Sequence, residues 1–354
     1  MRQIKNGKPY NYGLGIAGLA LVGGLLTVAM LFIPDYDRPP LDVVQNGFRG
    51  LGMETNYNPR RVAEQWAENQ IPAPPMPLIT AGPKASEVYE NVQVLGDLSQ
   101  TQFTRLMLAI TAWVSPQQGC TYCHAEGEGF AADTLYTKRV SRWMIQMTQH
   151  INNEWKSHVA ETGVTCYTCH RGNNIPQYVW WEQPKQNVSM LGYERGLDLA
   201  AMQNVVNPQA QYASLPSGAF EAFLLDDNKI RVLRQTERVT PEPGNGLAGT
   251  KRTELTYSLM MHMSSSLGVN CTFCHNTRSM GVWAQSPPQR MTAWYGIRLV
   301  RDLNAGYMEP TTPILPHYRL GPLGDAPKAN CTTCHQGVYR PLFGQSMLSE
   351  YPSL

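Results

Sequence analysis

Cysteine is absent from this chain of 354 residues except for eight residues, all of which fall in four copies of one short motif. No cysteine remains for a structural disulfide, a separate redox switch or a lipid anchor. Charge is also scarce, since Asp, Glu, Lys and Arg make up 16% of the residues and the formal net charge is +2. Without a basic stripe or a long run of like charges, the chain lacks the electrostatic signature of nucleic-acid binding.

The four motifs are pentapeptides of the form C-x-x-C-H. Their residues are Cys120, Cys123 and His124; Cys166, Cys169 and His170; Cys271, Cys274 and His275; and Cys331, Cys334 and His335. This pattern is typical of c-type haem attachment, in which two thiols form thioethers and the adjacent histidine ligates the iron. A single C-x-x-C can be a zinc or redox motif, but four copies that each end in histidine favour four haems. Because such haem attachment takes place outside a bacterial inner membrane, we expect the bulk of the chain in the periplasm.

An uncharged apolar stretch at residues 13–33 predicts a transmembrane helix. At about 1.5 Å per residue its length is roughly 31 Å, which matches the core of a bilayer. The flanking charges are Arg2, Lys5 and Lys8 before the stretch and Asp35 and Asp37 after it. The positive-inside rule therefore places residues 1–12 in the cytoplasm and the remainder outside. A cleaved signal peptide is the alternative, but its apolar region is usually shorter and no A-x-A site precedes Pro34.

The rest of the chain is predicted to be mainly α-helical, in segments separated by irregular stretches. We expect a proline-rich extended arm at 34–85, a first dihaem half at 86–176, a connecting segment at 177–250 and a second dihaem half at 251–354. The prolines of the arm exclude a continuous helix or a central strand, so the arm should lie over a partner or over the protein's own surface. In the connecting segment, the stretch NKIRVLRQ is a candidate short strand.

The two halves resemble each other as an internal repeat of helix, C-x-x-C-H, helix and C-x-x-C-H. Leu106-Met107 precedes the first motif as Leu259-Met260 precedes the third. An R-x-x-x-W pattern follows at Arg139 in the first half and at Arg290 in the second. These matches predict two pseudo-repeated dihaem halves.

Histidine is scarce too, which limits the candidates for the second axial position of each iron. Beyond the four motif residues, the chain has only His150, His158, His262 and His317. Bis-histidine ligation of four haems would use every one of them. Methionine occurs 16 times, and Met/His ligation raises the potential of a haem because a thioether favours the reduced iron.

Helices that precede the motifs carry the methionine candidates. Met107 lies before the first motif and Met144 before the second. Before the third motif, Met260, Met261 and Met263 are all candidates, and helical periodicity does not choose among them. The repeat favours Met260, because it aligns with Met107.

The fourth haem needs a different ligand, because the repeat aligns Tyr295 with Met144. The remaining options are Met308, His317, His150 and His158. His158 lies 14 residues after Met144 on the same predicted helix. Two residues so spaced fall within about 40° of one face and roughly 21 Å apart, so one helix could serve two haems.

From about Ser86 onward the chain resembles the tetrahaem cytochrome subunit of the purple-bacterial photosynthetic reaction centre. The family's characteristic ligand offsets, counted back from a motif histidine, all match residues of this sequence. The resemblance implies Met107 and His124 for haem 1, Met144 and His170 for haem 2, Met260 and His275 for haem 3, and His158 and His335 for haem 4. This chain departs from many family members in one respect: they carry a lipid on an N-terminal cysteine, and this chain has no cysteine outside the haem motifs. The apolar helix should therefore replace the lipid as the membrane anchor.

The resemblance also implies a function and a set of partners. The protein should be an electron-transfer subunit and not an enzyme, bound to the L, M and H polypeptides of the reaction centre beside the light-harvesting ring. It should re-reduce the photo-oxidised bacteriochlorophyll dimer, with haem 3 nearest the dimer and haem 1 most distant. A quinol-oxidising tetrahaem cytochrome would be shorter and largely His-ligated, and a multihaem enzyme such as a nitrite reductase would need an open iron position.

The electron donor is expected to be a soluble cytochrome c or a high-potential iron–sulfur protein. Outside the first 12 residues, the chain contains 26 basic and 27 acidic residues. The propionates of four haems would make this part clearly acidic. That charge favours a basic cytochrome c through electrostatic steering.

Overall fold

The computed structural model describes residues 12–32, 41–46, 53–184, 209–210, 214–228, 230 and 250–354. The described α-helices are α1 Tyr12–Phe32, α2 Pro59–Glu68, α3 Ala85–Val88, α4 Gln100–Val114, α5 Tyr136–Glu154, α6 Lys156–Val159, α7 Cys166–His170, α8 Thr250–Leu267, α9 Gln289–Leu303 and α10 Cys331–His335. One antiparallel hairpin joins β1 Asp42–Gln45 to β2 Glu54–Tyr57. The prediction of a mainly helical fold is therefore confirmed.

Helix α1 agrees with the predicted apolar span, although Ile33 lies outside the described residues. Its 21 residues reach a mean hydropathy of 2.3, and none of its side chains is buried against the protein. A helix of this length and composition suits the hydrocarbon core of a membrane, where its own backbone bonds satisfy its polar groups. Its apolar side chains are thus largely exposed in the described part of the chain.

Retention of the α1 helix is a testable expectation. Because α1 is long enough to span a bilayer and no cysteine precedes the haem motifs, we expect mass spectrometry of the mature protein to show residues 1–33 present and no diacylglycerol. The intact mass should equal that of the full chain plus its haems. A mature protein that begins after Ile33 would contradict this expectation.

The proline-rich arm is not simply extended, so that part of the prediction is wrong. It contains the hairpin β1–β2 and the helix α2, which begins at Pro59 with the Asn58 side chain accepting a hydrogen bond from the Arg60 N–H. Proline suits the first turn of a helix because its missing N–H would have no partner there. The arm does lie over the protein's own surface, since Gln65 Nε2 donates to the Gly337 carbonyl at 3.3 Å and Thr272 Oγ1 donates to the Glu54 carbonyl at 3.1 Å.

Two apolar clusters form the main core. The first joins α4 and α5 to the C-terminal residues, and comprises Leu106, Ala109, Trp113, Ile145, Leu342, Met347, Tyr351 and Leu354. The second joins the connecting segment to α8 and α9, and comprises Trp180, Ala219, Phe220, Ala222, Phe223, Leu224, Leu255, Leu259 and Ile297. The C-terminal residues thus pack against helices that belong to the first half of the sequence.

A buried arginine holds the C-terminal residues against helix α4. Arg105 of α4 is 1% exposed, and its guanidinium donates to the Met76 carbonyl at 2.6 Å and pairs with the Glu350 carboxylate at 2.6 Å. Its guanidinium carbon also lies 4.4 Å from the centre of the Tyr351 ring. A buried guanidinium needs such partners, because an unpaired charge in the interior is costly. Helix α4, which carries Met107, is thereby tied to the chain terminus.

The single helix predicted from Met144 to His158 is wrong, because the chain breaks at Trp155. Helix α5 ends at Glu154 and α6 begins at Lys156, with Trp155 at φ −111° and ψ 28°. The Trp155 indole donates to the Asp302 carboxylate on α9 at 2.8 Å. This tertiary bond holds the break, and α6 then packs on α9. The candidate strand NKIRVLRQ lies almost entirely outside the described residues.

Candidate haem-binding sites

The four motifs adopt two local conformations. The second and fourth motifs form the short helices α7 and α10, each followed by a left-handed residue, Arg171 at φ 46° and Gln336 at φ 49°. The first and third motifs instead lie on 3₁₀ turns at Gly119–Tyr122 and Cys271–Phe273. Motifs one and three therefore share one geometry, and motifs two and four share another.

The helix that precedes the first motif packs against the second motif, and the helix that precedes the third motif packs against the fourth. Helix α4 contacts α7, and α8 contacts α10. The same backbone bond recurs in both places: Gly172 N donates to the Trp113 carbonyl at 2.7 Å, and Gly337 N donates to the Ser266 carbonyl at 2.8 Å. Each of these glycines stands two residues after its motif histidine.

Each motif histidine has its ring orientation set by a backbone carbonyl. In each of them Nδ1 donates a hydrogen bond to a nearby backbone carbonyl. The pairs are His124 with Phe130 (3.2 Å), His170 with Asn173 (2.8 Å), His275 with Met280 (3.1 Å) and His335 with Val338 (3.1 Å). Since a carbonyl only accepts, the proton must sit on Nδ1. The lone pair is then on Nε2, which is the tautomer needed to ligate a metal through that nitrogen.

His158 has the same arrangement, although it belongs to no motif. Its Nδ1 donates to the Thr292 carbonyl on α9 at 2.9 Å. Its ring centre lies 6.1 Å from that of His335, with the ring planes at 72°. The structure therefore brings a histidine of the first half to the motif histidine at the end of the second half.

Burial keeps these two imidazoles neutral. It lowers the pKa of His335 to about 4, and the neighbouring His158 contributes to this lowering. Burial likewise lowers the pKa of His158, although its bond to Thr292 acts in the opposite direction. Neutral imidazole is the form that binds iron, so both rings are in the ligating state at neutral pH.

A cavity of about 480 Å³ connects the second and fourth motifs, and its walls are mainly apolar. Both motifs contribute their cysteines and histidines to the lining, and His158 lies in the same wall. The Cys169 and Cys334 sulfur atoms approach to 2.7 Å. Among the lining residues, Cys123 and Cys274 belong to the first and third motifs. An apolar space bordered by thiols and correctly oriented imidazoles fits a covalently bound haem.

The methionine candidates lie on the helices predicted to carry them, in partly buried positions. Met107 is on α4 and Met144 on α5, where Met144 and Met147 both line the cavity. On α8, Met260 packs against the second apolar cluster, and Met263 both packs there and lines the cavity. The structure thus places a second methionine close to two of the three predicted ligands.

The other candidates for the fourth haem have different surroundings. His150 Nε2 lies 2.6 Å from the Asp302 carboxylate, and His317 is exposed. His262, which was not a candidate for haem 4, is 6% exposed and donates from Nδ1 to the Gln209 carbonyl at 3.2 Å. Met308 does line the cavity, but His158 is the candidate whose ring faces His335.

Comparison with known proteins gives the family of the chain. Residues 37–354 match the family model described as the photosynthetic reaction centre cytochrome C subunit. The chain belongs to this family. It is 48% identical over 341 residues to the photosynthetic reaction center cytochrome c subunit of Rubrivivax gelatinosus, covering 95% of this chain and 90% of the relative. The corresponding protein of Thermochromatium tepidum is 47% identical over 93% of this chain and 79% of its own length, and that of Roseobacter denitrificans is 40% identical over 96% and 91%.

Family membership confirms the resemblance seen in the sequence and has direct consequences. A reaction-centre cytochrome c subunit binds haem c covalently and is an electron-transfer component of photosynthesis. It associates with the reaction-centre complex. The apolar helix α1 suggests that this member is anchored in the membrane.

Two residues that hold His158 were not identified from the sequence. The Thr292 carbonyl that accepts from His158 is a backbone group, which leaves no trace in a side-chain pattern. Gly296 lies directly beneath the His158 ring. Its signal was present in the sequence, because aligning Arg139 with Arg290 also aligns the buried Ile145 with Gly296.

Proposed function

We propose that this protein relays electrons, through four covalently bound haems, from a soluble periplasmic donor to the photo-oxidised bacteriochlorophyll dimer of the reaction centre. The observation that carries the proposal is that each of the four histidines that adjoin a pair of motif cysteines donates from Nδ1 to a backbone carbonyl, which leaves its Nε2 atom available to ligate an iron. Haem supplies one-electron redox chemistry, and the protein supplies ligands, spacing and electrostatics.

The pair His158 and His335 supports a bis-histidine site for haem 4. Both rings carry their proton on Nδ1, and their centres lie 6.1 Å apart. These two histidines would therefore hold the iron of haem 4 through their Nε2 atoms. The residues alone left four options here, the family resemblance favoured His158, and its placement beside His335 supports the same choice.

For the other three haems we propose Met107 with His124, Met144 with His170, and Met260 with His275. The partly buried positions of these methionines on α4, α5 and α8 support the assignment, together with the spacing shared with the family. Thioether ligands favour the reduced iron, whereas a second imidazole, as the stronger donor, favours the oxidised iron. Unequal ligand sets therefore create unequal potentials along the relay.

The matching conformations and packing of motifs one with three and two with four support a pseudo-repeated pair of dihaem halves, at 86–176 and 251–354. Elements of the two halves pack against each other: α6 of the first half contacts α9 of the second, and the C-terminal residues contact α4. Such interlocking would hold the haems at fixed separations. Fixed, short separations are what an electron relay requires of its protein.

The exposure of the motifs supports an order for the haems. Cys120 and Cys271 are exposed, whereas Cys331 is buried and the Cys169 and Cys334 sulfur atoms are in contact. We propose that haems 2 and 4 are central neighbours and that haems 1 and 3 are terminal. Haem 3 would then face the bacteriochlorophyll dimer, and haem 1 would face the soluble cytochrome c or high-potential iron–sulfur protein.

The proposed topology places residues 1–12 in the cytoplasm, α1 in the membrane beside the light-harvesting ring, and the haem-bearing part in the periplasm. The charges that flank α1 support this orientation. The haem-bearing part would then dock on the outer face of the complex that the L, M and H polypeptides form.

Redox titration of the purified complex, combined with flash-induced absorbance changes, tests the proposed function. We expect four separately titrating low-spin haems, and oxidation of haem within the complex after each flash. Both results follow from a proposed sixth ligand on every iron and from contact with the dimer. High-spin bands in the ferric spectrum, which report an open iron position, would instead favour a multihaem enzyme.

A further inference from the structure

Gly296 on α9 occupies the point where α6 from the first half approaches the second half. A Cβ atom added to Gly296 would lie 2.5 Å from His158 Cε1, 3.0 Å from Nδ1 and 3.2 Å from Nε2. A carbon atom cannot lie at these separations from a ring without displacement of one of them. All three contacts are to a single imidazole, so the missing side chain of Gly296 is the space in which the His158 ring lies.

The hydrogen bond of His158 explains why the ring must lie there. Its acceptor is the Thr292 carbonyl, four residues before Gly296. In an α-helix the carbonyl of one residue accepts from the N–H four residues later, so the Thr292 oxygen points toward Gly296. A carbonyl oxygen has two lone pairs, and His158 Nδ1 reaches the second one across the bare backbone of Gly296.

In the first half, the position that corresponds to Gly296 is not covered by a histidine ring and carries a large side chain. The alignment of Arg139 with Arg290 pairs Met144 with Tyr295 and Ile145 with Gly296. Ile145 is 5% exposed and packs in the first apolar cluster. The second half therefore differs at two adjacent positions: the methionine is replaced, and the bulky neighbour is reduced to glycine.

We propose that Gly296 is a positioning residue for haem 4, which admits the His158 ring onto α9 and lets the Thr292 carbonyl orient it. This inference rests on the proposed ligation of haem 4 by His158. The bond from Nδ1 to a carbonyl also increases the electron donation of Nε2 to a metal, as hydrogen bonds to ligating histidines generally do. Gly296 thus influences the potential of haem 4 without touching the haem iron.

The test is the variant Gly296→Ala, with Gly306→Ala as its matched control. Gly306 follows α9 in the same helical run, and a Cβ there would meet nothing within 4 Å. In Gly296→Ala we expect an upward shift in the potential of haem 4 and an altered or lost ferric bis-imidazole signal in electron paramagnetic resonance. The other three haems and the Gly306→Ala complex should match the wild type.

Two comparisons separate this inference from the proposed ligation. If His158→Met shifts the potential of haem 4 but Gly296→Ala changes only thermal stability, Gly296 is merely a packing residue and the inference is overturned. If His158→Met also leaves haem 4 unchanged, the ligation itself is wrong. Where Gly296→Ala does not accumulate, the double variant with His158→Ala decides: recovery of haem-bearing protein supports the clash with the ring, and continued absence overturns it.

Discussion

Replacing His158 with methionine is expected to raise the potential of one haem, the fourth, and to leave the other three nearly unchanged. The substitution would convert a bis-imidazole site into a Met/His site, and a thioether favours the reduced iron. Axial ligands and their surroundings set haem potentials over a span of about 0.8 V, so we expect an upward shift on the order of 0.1 V. Potentiometric titration of the purified complex, followed at the haem absorption bands, measures it.

The matched control for this prediction is His317→Met. His317 was another option for haem 4 before the family resemblance favoured His158, but it is exposed, whereas the ring of His158 lies 6.1 Å from that of His335. The control should titrate as the wild type. If His158→Met overlays the wild type instead, ligation between the halves is wrong, and Met308, which lines the cavity, becomes the leading candidate.

Replacing Met144 with histidine is expected to lower the potential of haem 2, again by on the order of 0.1 V. An imidazole donates more strongly than a thioether and stabilises the ferric iron. The sulfur-to-iron charge-transfer absorption at the red end of the ferric spectrum should also lose the contribution of this haem. Together, the lowered potential and the lost absorption identify Met144 as the ligand.

Met147 provides the control for Met144, because both lie on α5 and line the same cavity. Met147→Leu removes a thioether from the cavity wall and keeps a similar apolar volume, so the charge-transfer band and all four potentials should persist. Loss of the band in Met147→Leu, with the band intact in Met144→His, would reverse the assignment.

The apolar anchor, the four motifs and the helical character were readable from the sequence, because each depends on residues close together in the chain. The span of α1 follows from an uninterrupted run of apolar residues, and the C-x-x-C-H chemistry from five consecutive ones. The offsets of the methionines from their motifs are also short, and helix periodicity constrains them. These features led to the family before any tertiary contact was known.

Features that depend on distant contacts were not readable. The arm was predicted to be extended from its prolines, yet Pro59 begins a helix whose Gln65 bonds to Gly337 at the other end of the chain. The helix predicted through Met144 and His158 breaks at Trp155, where the indole donates to Asp302 on α9. At Trp155 a partner more than a hundred residues away holds the local conformation, whereas α2 begins at a local signal, the Asn58 cap followed by Pro59, that the sequence already contained.

By itself, the sequence predicted four haems, the residues that attach them and a single anchoring helix. The family resemblance pointed to His158 for haem 4, but only the tertiary structure showed that its ring lies beside His335, because periodicity places a side chain on a helix face and does not say which helix that face meets. His158 reaches His335 since α6 packs on α9, Thr292 offers a carbonyl and Gly296 leaves room for the ring. The Thr292 carbonyl and the absent side chain of Gly296 can orient His158 only because α6 and α9, which belong to different halves, are in contact.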